Sequence, residues 1–222
     1  MVASPFTGRF IGGGAMPASR ETISMPILPI KGILFPGAKT RLRIEDPAHK
    51  LMITYCIQQD TALCVCKERI GDDLGSTDHD IEPSNIGTSA RVLQVQETED
   101  GAMDLELTGI SRISLLSYRH GNKYMVGQFK YLPDLDDSVP TLLIDEATAL
   151  SSEIWSFVRT ERTRLQLPTE PEALSYWIAA HVPLPVESQQ ELLELRTTRT
   201  RLAKEVSILR MMMDRMRTEQ TS

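Results

Sequence analysis

Apolar and polar residues alternate with a period of two in the first part of the chain, which is typical of β-strands that bury one face. In residues 39–44 (KTRLRI), basic side chains alternate with leucine and isoleucine. Residues 103–108 (MDLELT) repeat the alternation with acidic side chains. The dipeptide Asp100-Gly101 precedes them, and an Asp-Gly pair between two alternating segments is a strong hairpin signal. The pattern therefore predicts an antiparallel ribbon that is buried on one face.

Proline and glycine divide the β structure at the start of this region. Residues 26–30 (PILPI) predict a short apolar strand, and a second apolar run ends at the tripeptide Phe-Pro-Gly, residues 35–37. Because proline lacks an N–H and glycine reaches positive φ, this tripeptide predicts a turn. Asp46 and Pro47 predict the start of a helix, since aspartate caps a helix and proline is tolerated in its first turn.

Two further strands are predicted after this helix, at residues 62–67 and 124–132. Residues 71–85 between them are polar and predict a loop. This loop is unusually long for a compact domain, so we interpret it as either functional or mobile. Residues 1–24 contain glycines, prolines and small residues without periodicity, and they predict a mobile arm.

The hydrophobic period changes after Pro140 to the spacing of an amphipathic helix. Thr169 and Glu172 have the spacing of a capping box and predict the start of a second helix. A third helix is predicted around residues 192–195, and the last from 197 to 218. The apolar stripes of the first and last helices are Leu143, Ala147, Leu150, Ile154 and Phe157, and Leu202, Val206, Leu209, Met213 and Met216.

These elements predict an α+β protein with a flexible arm over residues 1–24, a β-rich domain over 25–138 and a helical domain over 139–222. The stripe of the last helix has two interpretations. It is either a coiled-coil seam for a partner or a face that packs on the helix of residues 143–157. We favour internal packing, because only about two heptads are present and coiled-coil assignments need three or four.

Composition narrows the classes of function. The formal charge of −6 disfavours nucleic acid as a partner. Several arginines occur between residues 159 and 201, so a local basic face stays open as an alternative. The sequence contains neither an apolar run long enough to span a bilayer nor the apolar core of a signal peptide, and its three cysteines do not form a disulfide framework. We therefore expect a cytoplasmic protein that is not bound to a membrane.

The chain offers little that indicates catalysis or a cofactor. Cys64 and Cys66, with Cys56 and His49 or His79 nearby in sequence, suggest zinc, but alternate residues of a strand lie too far apart for good tetrahedral geometry. The acidic residues from 72 to 82 do not match a calcium loop. No nucleophile elbow or HExxH motif occurs. We expect structural thiols, a solvated acidic loop, no metal, no cofactor and no enzymatic activity.

Taken together, the motifs resemble the N-terminal substrate-binding domain of Lon proteases, from about residue 26 to residue 216. The family typically has a Leu-Pro-Leu strand, a Phe-Pro-Gly turn, an acidic residue followed by proline, a Gly-Thr-x-Ala strand, an Asp-Gly hairpin, and a glycine followed by arginine three residues later. The matching residues here are Pro29, Phe35, Pro36, Gly37, Asp46, Pro47, Gly87, Thr88, Asp100, Gly101, Gly109 and Arg112.

The resemblance implies a PUA-like, partly open β-barrel followed by a helical bundle. This sequence departs from the family pattern at Glu45, where an aromatic residue is usual, and at Ala48 and His49, where Arg-Tyr is usual. The sequence contains no GxxxxGK[ST] phosphate loop, and we expect no protease domain. The implied function is recognition of polypeptide segments by a monomer or weak homodimer, in an adaptor or quality-control role. RNA binding, known for other PUA-like barrels, is the alternative.

Overall fold

A computed structural model describes residues 22–70, 81–121, 123–135, 137–158 and 166–219. Their elements form an α+β structure with the strands first and the longer helices last. The strands are β1 (Ile23–Ile30), β2 (Lys39–Ile44), β3 (Leu63–Ile70), β4 (Ile81–Glu97), β5 (Met103–His120) and β6 (Met125–Tyr131). The helices are α1 (Pro47–Gln58), α2 (Thr141–Val158), α3 (Pro171–His181), α4 (Val186–Glu194) and α5 (Thr198–Glu219).

The six strands form one mixed sheet in the order β2-β5-β4-β3-β1-β6, with an additional pairing between β5 and β6. Strand β5 contacts both strands at the ends of this order, since its first half pairs with β2 and its second half pairs with β6. Irregularities at 89/90 and 92/94 in β4 and at 115/117 in β5 bend these long strands. The ladder therefore closes through β5 and β6, while β2 stays outside it, and the sheet is not a clean barrel.

Local signals explain three features that connect or begin the elements. Asp46 accepts a hydrogen bond from the Ala48 N–H at 2.7 Å, which confirms the predicted cap of α1. The predicted hairpin is also confirmed, with Gly101 at φ 79° between β4 and β5. Gly37 has φ 76°, which confirms the predicted turn, because this region of φ favours glycine.

Three predicted boundaries are wrong. The arm was predicted to end at Ser24, but β1 begins at Ile23 and pairs with β6; residues 1–21 lie outside the described part. Residues 81–85 of the predicted loop belong to β4, and residues 81–83 pair with β3. Glu170, and not Thr169, is the N-cap of α3, since Pro171 takes the first helical position; Glu170 makes no side-chain capping hydrogen bond.

The helical half has its own core, in which α5 packs on α2 and α3. The predicted stripe of α5 is buried there, from Leu202 to Met213, with Met216 at its margin. Ala147 and Ile154 of α2 lie in the same cluster. Internal packing of this stripe is therefore confirmed. Trp155 of α2 and Trp177 of α3 meet edge to face, with ring centroids 5.4 Å apart.

Candidate functional site

The Phe-Pro-Gly turn is held against β4 and β5 by hydrogen bonds at its base. The Gly37 N–H donates to the Gly109 carbonyl at 3.0 Å, and the Gly109 N–H donates to the Ala38 carbonyl at 2.9 Å. The Thr88 hydroxyl donates to the Leu34 carbonyl at 2.5 Å. Signature residues that are far apart in sequence thus meet at one turn, where they orient the backbone.

Two signature glycines allow close approach of neighbouring backbones. A Cβ atom at Gly109 would clash with the Phe35 carbonyl group. A Cβ atom at Gly87 would lie 2.7 Å from the Val65 carbonyl oxygen and 2.9 Å from Cys66 Cβ. Larger side chains at these positions would push the turn or β3 away from the sheet.

The Phe35 side chain connects the β-rich half to the helical half. It is fully buried in a cluster that contains Tyr176 and Ala179 of α3 and Leu192 and Leu193 of α4. The rings of Phe35 and Tyr176 have centroids 6.4 Å apart in a tilted arrangement. The turn therefore presents an aromatic anchor to the helices, and burial of such a side chain contributes strongly to packing.

Beside this anchor, Asp134 in the segment between β6 and α2 forms the centre of a buried polar group. It pairs with Arg112 of β5 and accepts hydrogen bonds from Arg201 at 2.6 Å, Thr198 at 2.7 Å and the Tyr176 hydroxyl at 3.0 Å. We call these five residues the Asp134 cluster. It ties β5, the segment after β6, α3 and α5 together at one carboxylate.

The electrostatics of the Asp134 cluster are those of a buried network of paired charges, in which Arg112 Nε has no hydrogen-bond partner among the described residues. Burial alone would raise the pKa of Asp134, but the hydrogen bond and charge of Arg201 outweigh it and hold that pKa below its usual value. Burial lowers the pKa of Arg112, which also donates to the Leu193 carbonyl at 2.8 Å. The Arg201 guanidinium lies 4.1 Å from the centroid of the Tyr176 ring. These contacts all point inward, as expected of a scaffold.

A buried acid extends this network into the helical core. Ser175 accepts a hydrogen bond from Arg201 Nε at 2.7 Å and donates one to Glu205 Oε1 at 3.0 Å. Glu205 Oε2 has no hydrogen-bond partner among the described residues. Glu205 also lines a small void whose other lining residues are apolar. Burial raises the pKa of Glu205 well above its usual value, so the neutral acid is favoured.

The exposed counterpart of this scaffold is β2. In the described part of the chain, β2 pairs with β5 alone, so its other edge is open. Lys39, Arg41 and Arg43 project from it on one face, and we call these three residues the basic edge. The register places Thr108, Glu106 and Asp104 opposite them on β5. Arg41 Nε lies 3.2 Å from Glu106 Oε2, and Arg43 Nη1 lies 3.7 Å from Asp104 Oδ1.

A groove of about 510 Å³ lies over this part of the sheet. Its polar side chains come from the outward face of three adjacent strands, and Leu42 and Leu105, whose side chains alternate to the core face, also border it. It is lined by Arg41, Leu42, Arg43, Gln94, Gln96, Asp104, Leu105 and Glu106. Amides and charged groups in rows can hydrogen-bond the backbone and side chains of an extended segment.

A second cleft, of about 370 Å³, lies between the segment after β6 and the starts of α3 and α5. Its lining includes Asp134, Asp137, Glu170 and Glu172, and Leu135 is exposed at its rim. Burial raises the pKa of Glu172. The cleft is acidic, unlike the groove beside β2.

The positions that depart from the family pattern adjoin the open edge. Glu45 follows β2 directly and accepts a hydrogen bond from Arg43 at 3.2 Å. Ala48 and His49 lie in the first turn of α1, where His49 Nδ1 is 3.7 Å from Asp46. These three positions therefore lie just after the end of β2 and in the first turn of α1.

The cysteines and the acidic segment that were considered as metal ligands lie in different parts of the structure. Cys64 and Cys66 are both buried against β1, β5 and β6, which confirms the expected burial. A hydrogen bond with Cys66 raises the pKa of Cys64, and burial raises it further. Glu82, at the end of the acidic segment, hydrogen-bonds to Arg69 at 2.9 Å. Residues 71–80, including His79, lie outside the described part.

Pro29 and the hairpin dipeptide complete the set of signature residues. Pro29 pairs with Cys66 in the parallel ladder between β1 and β3. Asp100 accepts a hydrogen bond from Thr98, and this bond lowers the pKa of Asp100. Arg43 pairs with Asp100, so the hairpin turn lies near the open edge.

Arg112 was among the residues singled out from the sequence, whereas its partner Asp134 and the residues of α5 that extend the network were not. Asp134 lies in an acidic run, DLDD, which has the composition of a solvated turn. Thr198, Arg201 and Glu205 are spaced by three and four residues, next to the apolar stripe of α5. That spacing placed them on the buried side of the helix and was the available signal.

Comparison with known proteins agrees with this architecture. The family model described as the ATP-dependent protease La (LON) substrate-binding domain matches residues 24–211. The Lon protease of Buchnera aphidicola is 23% identical over 213 residues, with 91% of this chain and 27% of that protein covered. The Lon protease of Escherichia coli K12 is 24% identical over 206 residues, with 84% and 24% covered. The chain thus spans about a quarter of the length of these relatives.

Solved structures show the same fold. A Lon N-terminal domain protein from Xanthomonas campestris superimposes with a TM-score of 0.65 at 22% identity, covering 83% of this chain and 98% of the other. The N-terminal domain of a Mycobacterium avium complex Lon protease has a TM-score of 0.64 at 18% identity, covering 84% and 98%. The matched region in the relatives is the substrate-binding domain and not the peptidase domain, and the chain belongs to the LON substrate-binding domain family.

Proposed function

We propose that this protein is a non-enzymatic recognition module that binds extended segments of other polypeptides, in an adaptor or quality-control role. Membership in the substrate-binding domain family supports binding of polypeptide substrates. The observation that carries the proposal is the open edge of β2, which lies beside a groove of about 510 Å³.

An open strand edge recognises a polypeptide through its backbone. Unpaired N–H and C=O groups along β2 can form a ladder with any segment that becomes extended, whereas a folded protein has already paired most of these groups. Such binding tolerates many sequences, which suits a module that handles diverse unfolded chains. The side chains beside the edge then select among them.

The division between scaffold and surface supports the absence of catalysis in this proposal. The Asp134 cluster directs its charged groups toward one another in the interior. Acid–base catalysis needs titratable groups that reach a substrate, and such groups usually lie in a cleft. The acidic cleft is lined by four carboxylates, three apolar residues and Thr198, and the Thr198 hydroxyl is already held as a hydrogen-bond donor to Asp134.

We further propose that the protein is cytoplasmic and that it is a monomer or weak homodimer. The three cysteines are free and buried, which fits a reducing compartment. Among the helices that the structure describes, none is long and apolar enough to cross a membrane.

Binding to an unfolded protein tests the proposed function. Fluorescein-labelled, reduced and carboxymethylated α-lactalbumin serves as the unfolded ligand, and the native disulfide-bonded protein is the matched control. We expect a saturable rise in fluorescence anisotropy with the unfolded ligand and little change with the native one. The proposal fails if neither this ligand nor two other unfolded proteins of different net charge bind, or if folded and unfolded forms bind equally.

A further inference from the structure

The basic edge indicates which class of segment the open edge of β2 recognises. Lys39, Arg41 and Arg43 recur at every second residue, so their side chains share one face. Their side chains are 66%, 86% and 45% exposed, so they are available to a neighbour on the open side. Thr40 and Leu42 alternate with them on the other face and are half-buried.

The neighbour already present on the other side of β2 shows what suits this pattern. Residues 103–108 of β5 (MDLELT) place Asp104 and Glu106 beside Arg43 and Arg41, while Leu105 lies beside Leu42. Opposite charges on directly paired residues stabilise an antiparallel pair, and like charges destabilise it. A segment on the open edge would face the same arginines and the same leucine.

From this arrangement we infer that the open edge of β2 binds extended segments in which acidic and apolar residues alternate, as they do in β5. The acidic side chains pair with the basic edge, the apolar ones extend the face of Leu42, and the backbones form a ladder. This inference rests on the proposed function and specifies its ligand. Basic segments are disfavoured, because their charges would lie next to the three cations on the open side, while Glu45, Asp100, Asp104 and Glu106 pair with these cations from within the protein.

The charge pattern also has a protective consequence. Two copies of β2 that paired edge to edge would bring basic side chains together, which disfavours self-association through this strand. Protection alone would explain the cations without any ligand. The two interpretations differ in whether an acidic alternating peptide binds.

Nuclear magnetic resonance separates these interpretations even for weak binding. The ¹⁵N-labelled full-length protein is titrated to millimolar concentration with the peptide AMDLELTG, which copies residues 102–109. We expect shifts of the backbone amides of residues 39–44. Control peptides are AMLLDETG, which has the same composition without alternation, and AMKLKLTG, in which lysine replaces both acidic residues.

We expect the peptide without alternation to bind about tenfold more weakly and the lysine peptide not to bind at β2, because cross-strand charge pairs are lost or reversed. Unchanged shifts at residues 39–44, or equal shifts with the lysine peptide, would overturn the inference. If unfolded α-lactalbumin still binds in that case, the proposed function stands and only its assignment to this ligand class fails.

Variants and modified peptides test the charges and the backbone ladder separately. The double variant Lys39→Gln/Arg41→Gln should weaken binding of the acidic peptide about tenfold, and the matched variant Arg119→Gln/Lys130→Gln, at exposed sites elsewhere on the sheet, should not. N-methylation of the peptide at alternate residues should abolish binding in one of the two registers, since each strand directs every second N–H to its partner. Equal tolerance of both registers excludes strand addition.

Discussion

The Asp134 cluster and the basic edge use the same chemistry in opposite surroundings. Both pair arginines with carboxylates, but the side chains of Arg112, Arg201 and Asp134 are 1%, 0% and 9% exposed, whereas that of Arg41 is 86% exposed. Removing a partner inside the protein leaves an unpaired charge away from water, and removing one at the surface leaves it hydrated. The buried pairs therefore maintain the structure, and the exposed pairs are free to exchange partners.

The largest expected effect comes from removing the centre of the buried cluster. Asp134→Asn leaves Arg112 and Arg201 without their carboxylate and should lower the free energy of unfolding by about 3–5 kcal/mol. The measurement is urea unfolding followed by circular dichroism. The matched control is Asp104→Asn at the exposed pair with Arg43, which should cost less than about 1 kcal/mol. Similar losses in both variants would contradict the distinction.

Glu205 provides a test of the same contrast by pH. Its folded-state pKa is raised, so the folded protein binds a proton that the unfolded chain has released at neutral pH. The free energy of unfolding should therefore fall as pH rises above the usual pKa of glutamate, by at most about 1.4 kcal/mol per pH unit. Glu205→Gln mimics the neutral acid and should reduce this slope.

The comparison requires unfolding curves for both proteins from pH 5 to pH 9. Arg201 is the cation nearest to Glu205 through Ser175, and it remains in both proteins. Glu191→Gln, at an exposed position of α4, is the control and should leave the slope unchanged. A Glu205→Gln variant with the wild-type slope would show that ionisation of this acid is not coupled to folding.

The smallest effect belongs to the exposed pairs. Glu106→Gln removes the acidic partner of Lys39 and Arg41 and should destabilise the protein by about 0.2–1 kcal/mol. Raising the ionic strength should reduce this loss, because salt screens exposed charges, and should change the loss in Asp134→Asn far less. A salt-independent loss in Glu106→Gln would indicate that Glu106 acts through packing.

Short-range structural features were predicted correctly from the sequence because their causes are local. The Asp46 cap, the Gly37 turn and the Gly101 hairpin each depend on the backbone preferences of one or two residues. The capping box at Thr169 failed because Pro171, two residues later, set the first helical position. Competing local signals of this kind shift a boundary without changing the element.

Periodicity and motifs were sufficient to predict the α+β order of elements, the two apolar stripes of the helical half and the family. Long-range packing is what brings Asp134 to Arg112 and Arg201 and leaves β2 with an open edge and its cations on one face. Periodicity reports which face of an element is buried, but not which element covers it. The partner of a charged side chain depends on contacts between residues far apart in the chain, and these form only when the sheet and helices pack.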